Sequence, residues 1–206
     1  MRVAIVGGTG DFGLALAARL VEAGDEVVIG SRDPERAQEK AREVGAAGGA
    51  ANEEAVAGTE LVVLATKADA TLATAAALAG VLAEVPVLSV ASELQFGPGG
   101  ARPGTDPRSL AERTQELVAA PVVAGLHSLA AGKLTHGPPD EDAFVCGDDA
   151  AAKALALELA GKVVAGRALD AGPLEGARAL EGLTAVIVNL NRRYRGHAGV
   201  HVTGLP

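Results

Sequence analysis

The chain is poor in the residues that several specialised chemistries require. A single cysteine, Cys146, stands among 206 residues. That excludes an internal disulfide and a zinc site built from cysteines, and within the apolar run 143–146 it reads as a small core residue. Tryptophan is absent, and three phenylalanines and one tyrosine are all the aromatics, so the chain offers no stacking platform for single-stranded nucleic acid. Positive charge is scarce as well. Eighteen Lys and Arg against 26 Asp and Glu leave a formal net charge of -8, with no basic stripe of useful length, which argues against nucleic acid as a partner. No apolar run approaches the roughly 18 to 20 residues of a bilayer-spanning helix, and the chain starts on a strand rather than a leader-like segment. The expectation is a soluble, cytoplasmic protein with no membrane partner.

What is present is 49% hydrophobic residues, enough to bury a single good core. Right at the start, an apolar strand at 2–6 runs into Gly7-Gly8-Thr9-Gly10-Asp11-Phe12-Gly13, after which Phe12, Leu16 and Leu20 recur at helical spacing. A glycine-rich turn between strand and helix is the pattern that cradles a dinucleotide pyrophosphate. The first glycine permits the tight turn, Gly10 lets backbone approach the phosphates, and Gly13 lets helix and strand pack closely. Amides at the helix N-terminus then face the phosphate charge.

A second segment selects the cofactor. An NAD-preferring site places Asp or Glu at the end of the second strand, where it binds the ribose hydroxyls, whereas arginine accommodates a 2′-phosphate. After the strand 26–29 this chain has Gly30, Ser31 and Arg32, with Arg36 one helical turn further on. A Ser31 hydroxyl and two guanidinium groups suit a phosphate, and point to NADP. The alternative is that Ser31 caps the next helix and both arginines are merely solvated.

The remaining elements alternate. Helices are expected at 34–43, 69–82, 109–118, 150–159 and 182–190, and strands at 61–65, 85–91, 121–125, 143–146 and 163–169. This alternation is the signature of an α/β doubly wound parallel sheet, the Rossmann NADP-binding fold, here with a small C-terminal α/β extension. The whole of 1–206 reads as one domain, with 1–125 as the dinucleotide-binding core and 126–206 as the extension. The Gly- and Pro-rich stretch 97–104 reads as a loop able to act as a flap. Leu183, Val186, Ile187 and Leu190 fall on one helical face.

Candidate proton donors are few. His127 follows the strand 121–125, at a carboxyl end where ligands bind, or else it packs beneath a loop. Tyr194 lies in a basic tail. His197 and His201 are four apart, but Gly199 and the flanking valines favour a strand over a zinc-binding helix, so no metal is expected.

Taken as a set, Gly7-Gly8-Thr9-Gly10, Gly30-Ser31-Arg32, Gly125-Leu126-His127, Val145-Cys146-Gly147-Asp148-Asp149, Leu169-Asp170-Ala171-Gly172-Pro173-Leu174 and Gly182-Leu183-Thr184 span nearly the whole chain. In that order they resemble the NADPH-dependent reductases of coenzyme F420, of bacterial type. The resemblance implies a dimeric Rossmann protein that passes a hydride directly between NADPH and a deazaflavin, with no catalytic side chain. Carried over by position, Gly8, Thr9, Gly10, Asp11, Phe12, Gly13, Ser31, Arg32 and Arg36 would hold NADP, and Ala131 would border the nicotinamide. Ser89, His127, Leu129 and Thr184 would line the pocket for coenzyme F420, with Gly182 where archaeal members have serine. Thr66 and Lys67, and Ala91 within 90–93, occupy cofactor-bordering segments where this chain departs from archaeal relatives. There Lys67 is either a solvated charge or a phosphate contact. The deazaflavin's phosphodiester and oligoglutamate tail would need a basic path, for which Arg192, Arg193 and Arg195, with Lys133, are candidates. Other readings of the same residues are an NADPH-dependent reductase of an imine, a ketoacid or a ferric or flavin centre, and a non-catalytic NADPH-sensing module.

Overall fold

The computed structural model describes residues 1–205. In chain order it comprises β1 (Arg2–Val6), α1 (Asp11–Glu22), β2 (Glu26–Ser31), α2 (Pro34–Val44), β3 (Gly48–Ala51), α3 (Asn52–Ala55), β4 (Leu61–Leu64) and α4 (Ala68–Leu82). These are followed by β5 (Val87–Ser89), β6 (Leu94–Gly97), β7 (Gly100–Pro103), α5 (Leu110–Gln115), β8 (Val122–Gly125), α6 (Ala131–Leu134), β9 (Ala143–Gly147), α7 (Ala150–Val163), β10 (Ala168–Asp170) and α8 (Ala177–Tyr194). Eight strands form one sheet in the order β10-β9-β8-β5-β4-β1-β2-β3. From β3 to β8 every pairing is parallel, so six strands follow the doubly wound order 3-2-1-4-5-6. Beyond Gly125 the sheet continues rather than stopping: β9 joins β8 antiparallel and β10 joins β9 parallel. The sheet is therefore mostly, not wholly, parallel.

Its strands are near-continuous apolar runs because helices cover both faces. All four residues of β4 are buried, as are the last four of β1. One core layer packs Leu16, Leu20 and Ala17 of α1 and Ala156, Leu159 and Val163 of α7 against Ile5, Ile29 and Val63. The other packs Ala75, Leu78 and Leu82 of α4 and Ala177 and Leu180 of α8 against Val6, Val62 and Ala124. Cys146 lies in this second layer, and burial pushes its thiol up to about 11.

Several sequence expectations are corrected. The 97–104 stretch is not a loop: Leu94–Gly97 and Gly100–Pro103 pair as an antiparallel hairpin turning at Pro98-Gly99. Its strands are four residues each, and the second, Gly-Ala-Arg-Pro, has no strand pattern to answer Leu94 and Phe96, so only the turn chemistry was visible. Val163 ends α7 rather than starting a strand, because it is fully buried as part of that helix's inner face; the strand is confined to Ala168–Asp170. His197 and His201 lie in irregular backbone, not a strand. Their segment is held by Asp142, whose amide donates to the Val200 carbonyl and whose carboxylate accepts from the Val202 amide. Leu183, Val186, Ile187 and Leu190 do share a helix, α8, along which Ile187 is 5% exposed while Val186 and Leu190 are 53% and 41% exposed.

Candidate functional site

The loops that follow β1, β2, β4, β5 and β8 all open at the same edge of the sheet. β1 lies between β2 and β4, and this is where the winding direction reverses, the place at the strands' carboxyl ends where doubly wound sheets bind their ligands. Gly7 makes the turn after β1 at φ +78°, a left-handed conformation that favours glycine. The Gly7 and Gly8 amides both donate to the Gly30 carbonyl at 3.1 Å, which ties the β1 and β2 loops together. Gly8 and Gly13 are packing glycines. A Cβ on Gly8 would lie 2.7 Å from the Ile5 carbonyl oxygen, and one on Gly13 would lie 2.8 Å from the Gly8 Cα.

Gly10 differs. A Cβ there meets only the Gly7 carbonyl oxygen, at an ordinary 3.5 Å. Gly10 is the exposed N-cap of α1, and no side chain caps that terminus. The first amides of a helix have no intrahelical acceptor, and here they open onto free space beside a residue without a side chain. Asp11 is exposed, Thr9 and Phe12 are half-buried, and all three sit around this opening.

At the end of β2, Ser31 is buried while Arg32 and Arg36 are exposed. Ser31 does not cap α2. That role belongs to Asp33, whose carboxylate accepts from the Arg36 amide at 3.1 Å, with Pro34 in the first turn and Gly45 closing the helix at φ +72°. The Ser31 oxygen accepts from the Asp33 amide at 3.1 Å, so its own proton is free to be donated outward. Neither Arg32 nor Arg36 makes an ion pair among the described residues. The acidic position of an NAD site is taken by Gly30, where a Cβ would stand 2.9 Å from the Asn52 Oδ1. The position is therefore tight as well as uncharged.

Thr66 lies against Gly7, its methyl 3.0 Å from where a Gly7 Cβ would be. Its hydroxyl is 3.1 Å from that of Thr71, which donates to the Lys67 carbonyl at 3.0 Å. Lys67, at the N-cap of α4, has no ion-pair partner among the described residues.

The crevice continues over β5 and β8. Ser89, the last residue of β5, pairs in register with Ala124 of β8. Ser89 is fully buried and His127 is 5% exposed, yet the Ser89 Oγ and the His127 Nδ1 have no hydrogen-bond partner among the described residues. Two orphaned polar atoms at adjacent strand ends are costly unless a ligand or an ordered water satisfies them. Just before His127, Leu126 is held at φ +63° while 1% exposed. A buried leucine in this region is strained, by about 1 to 2 kcal/mol, a conformation the surrounding packing imposes at the turn that delivers His127. Burial pushes the imidazole down to about 4, with a hydrogen bond donated by the ring to the Ala91 backbone carbonyl acting the other way, so His127 is neutral at pH 7.

That depression has a measurable consequence. The unfolded chain takes up the proton near the ordinary value of 6.5, whereas the folded one resists it until about 4. This contribution to stability is therefore complete above 6.5 and is lost as pH falls through that window. Between pH 7 and 5 it amounts to about 2 kcal/mol. Urea unfolding of His127→Asn should show a pH dependence shallower than the parent's by that amount.

The other expected pocket residues are placed differently. Ala91 is 8% and Leu129 7% exposed, Leu129 within the first core layer; Ala131 opens α6 and is half-buried. The Thr184 hydroxyl donates to the His127 carbonyl at 2.8 Å and lies 2.8 Å from the Ser92 hydroxyl, so it pins α8 to the two loops. Asn189 gave no signal in the sequence, and the parts of Ser92 and Leu126 were not legible there, since they arise from long-range contact and backbone conformation. Lys133 is not free for a ligand: it pairs at 2.8 Å with Glu141, which is fully buried.

A doubly wound sheet with an uncapped glycine-loop helix at its switch point, and unpaired arginines after its second strand, defines a Rossmann-type dinucleotide-binding protein. The description "NADP oxidoreductase coenzyme F420-dependent" matches residues 2–93. The F420-dependent NADP reductase of Methanothermobacter thermautotrophicus is 35% identical over the full chain and 96% of its own length. A crystal structure from Arthrobacter sp. FB24, described as a candidate F420-dependent NADP reductase, superposes with a TM-score of 0.86 at 30% identity, covering 99% of this chain and all of that one. An imine reductase of Streptomyces aurantiacus gives 0.65 at 25% identity, with 62% of its length covered. The chain belongs to the F420-dependent NADP reductase family.

Proposed function

We propose that the chain transfers a hydride directly between NADPH and the deazaflavin coenzyme F420. The observation that carries this reading is the division of one crevice into two halves with different unmet needs. At the β1 and β2 loops the need is for an anion: open α1 amides, a bare Gly10, a donating Ser31 hydroxyl and two unpaired guanidinium groups. At the β5 and β8 loops the need is for hydrogen-bond partners to the buried Ser89 Oγ and His127 Nδ1. The residues present fit NADP at the first and a polar-edged planar ring at the second.

When both cofactors are bound they supply the redox chemistry themselves. The chain's residues then have positioning work only. The α1 N-terminus, Ser31, Arg32 and Arg36 hold the phosphates, Thr66 and Lys67 border the dinucleotide between them, and Ala131 borders the nicotinamide. Ser89 and His127 orient the second ring, Thr184 and Ser92 fix the loops beneath it, and the buried Ala91 and Leu129 help exclude water. A neutral His127 is a poor acid, which disfavours a reading in which it protonates an imine or ketoacid. The segment 1–125 is thus assigned the NADP half and 126–206 the completion of the deazaflavin half.

Mixing the protein with NADPH and oxidised F420 should bleach the deazaflavin's visible absorbance. Absence of bleaching at high protein concentration contradicts the proposal, and tight NADPH binding without transfer to any acceptor would indicate a sensing module instead. No helix among the described residues is long and apolar enough to cross a membrane, in keeping with a cytoplasmic setting.

The active unit is assigned as a homodimer. Val186, Leu190 and Tyr194 recur every four residues on α8, at 53%, 41% and 72% exposure, and Phe96 on the hairpin is 72% exposed. Such a stripe suits a second copy of the same helix. The double variant V186E/L190E should run as a monomer in light scattering where the parent runs as a dimer.

A further inference from the structure

The hairpin Leu94–Gly97/Gly100–Pro103 does not float. Asn189 of α8 clamps it with both ends of its amide: the Ala101 amide donates to Oδ1 at 2.8 Å, and Nδ2 donates to the Ala101 carbonyl at 2.7 Å. Gly100, at φ +106°, lies so close that a Cβ there would overlap the Asn189 amide. Below the turn, the Gly104 amide donates to the Glu93 carbonyl at 2.7 Å, and the Arg178 guanidinium donates to the Gly104 carbonyl. A hairpin fixed at this cost to side-chain freedom leaves a cleft of about 410 Å³ against α8, lined by Pro98, Gly99, Gly100, Asn189, Arg192 and Arg193.

The charge of this cleft is set against the rest of the molecule. Most of the chain's cations are held by carboxylates, Arg178 by Glu181 and Arg113 by Glu93 among them. Arg192 and Arg193 are exposed and make no ion pair among the described residues, and the same holds for Arg195 at the α8 C-cap and Arg102 on the hairpin. A local excess of unpaired positive charge in a chain of net charge -8 is a place where an anion can be drawn in and held. The cleft and the His127 loop are both met by α8. Thr184, bonded to the loop of His127, and Arg192 stand eight residues apart on one helix, a separation of about 12 Å.

We infer that the cleft between the hairpin and α8 is the subsite for the anionic tail of the deazaflavin, gripped by Arg192 and Arg193. This rests on the function proposed above and deepens it. The phosphodiester and oligoglutamate of that tail are the chemistry that guanidinium pairs recognise best, and a ring seated against Ser89 and His127 would run its tail along α8 past Asn189. Lys133, committed to Glu141, has no part in it.

The test is equilibrium binding, read from the deazaflavin's own fluorescence, with two probes: oxidised F420 carrying its glutamate tail, and the tail-less deazaflavin. For the double variant R192A/R193A, F420 should bind at least tenfold more weakly, and the salt dependence of its affinity should flatten. Binding of the tail-less probe and of NADPH should change by less than twofold. R192K/R193K should recover a large part of the loss, which separates charge from damage to α8. If R192A/R193A binds F420 as the parent does, or loses both deazaflavins equally, the subsite is wrong while the function stands. If the parent protein binds NADPH but neither deazaflavin, the proposed function itself falls, and the subsite with it.

Discussion

Replacing Gly10 with valine is expected to abolish NADPH binding while leaving the fold standing. The backbone at Gly10 is extended, at φ -81° and ψ 162°, a conformation in which a β-branched residue is at ease. The added Cβ meets nothing closer than 3.5 Å. What the side chain does occupy is the opening in front of the α1 amides, where the pyrophosphate has to approach. Loss of two charge-assisted contacts costs about 3 kcal/mol or more, a weakening of at least a hundredfold. NADPH titration should register that loss, while thermal unfolding should shift by no more than a degree or two. Gly13→Val gives the contrast. Its Cβ would sit 2.8 Å from the Gly8 Cα, so the loop must move and the protein itself is destabilised, by about 1 to 3 kcal/mol. Two glycines of one motif thus separate into one that serves the ligand and one that serves the packing.

Arg32→Glu is expected to reverse the choice of cofactor more than it harms the protein. Arg32 is exposed and makes no ion pair among the described residues, so the folded chain loses nothing by its removal. For NADPH, a charge-assisted contact is replaced by repulsion from a carboxylate near the 2′-phosphate. The combined effect is about 3 kcal/mol, roughly a hundredfold in affinity. NADH, which lacks that phosphate, should change by less than about threefold, since no guanidinium contact to phosphate is lost. Equal weakening of both dinucleotides would instead place Arg32 on a part that they share.

Those two expectations rest on features that were visible in the sequence, and the reason is local. A turn glycine between an apolar strand and an amphipathic helix, and a basic pair just after the next strand, act through backbone conformation and charge within a few residues, so one-dimensional order preserves them. The same holds for the main alternation of strands and helices up to Gly125, though not for the short β3 and α3, whose Gly- and Ala-rich residues 48–55 carry no strand or helix pattern. Legibility fails where structure depends on distant partners. The hairpin 94–103 carries too little apolar pattern to announce itself, and exists because Asn189 and Arg178 on α8 hold it. Ser31 invited a capping assignment that Asp33, two residues on, fulfils. Lys133 was a plausible free cation until burial of Glu141 claimed it. The strained φ of Leu126, which aims His127, has no signature in composition or spacing. His127 itself could be named from its position after a strand, but its neutrality follows from burial that only the three-dimensional packing supplies.

The proposed function also fits so small a chain. With redox chemistry carried by both cofactors, the protein needs neither a nucleophile nor a tuned acid, and about 80 residues beyond the parallel core are enough to complete a second pocket.

Direct transfer between two bound cofactors is the central claim, and isotope tracing reaches it most directly. NADPH doubly deuterated at the nicotinamide C4 is mixed with oxidised F420 and the protein in ordinary water, and the reduced deazaflavin is weighed by mass spectrometry. The account predicts one deuterium per reduced deazaflavin, as required when the hydride passes from ring to ring. Reduced deazaflavin without the label would mean that hydrogen exchanges with solvent along the way, and no reduction at all would remove the deazaflavin from the account; either result contradicts it.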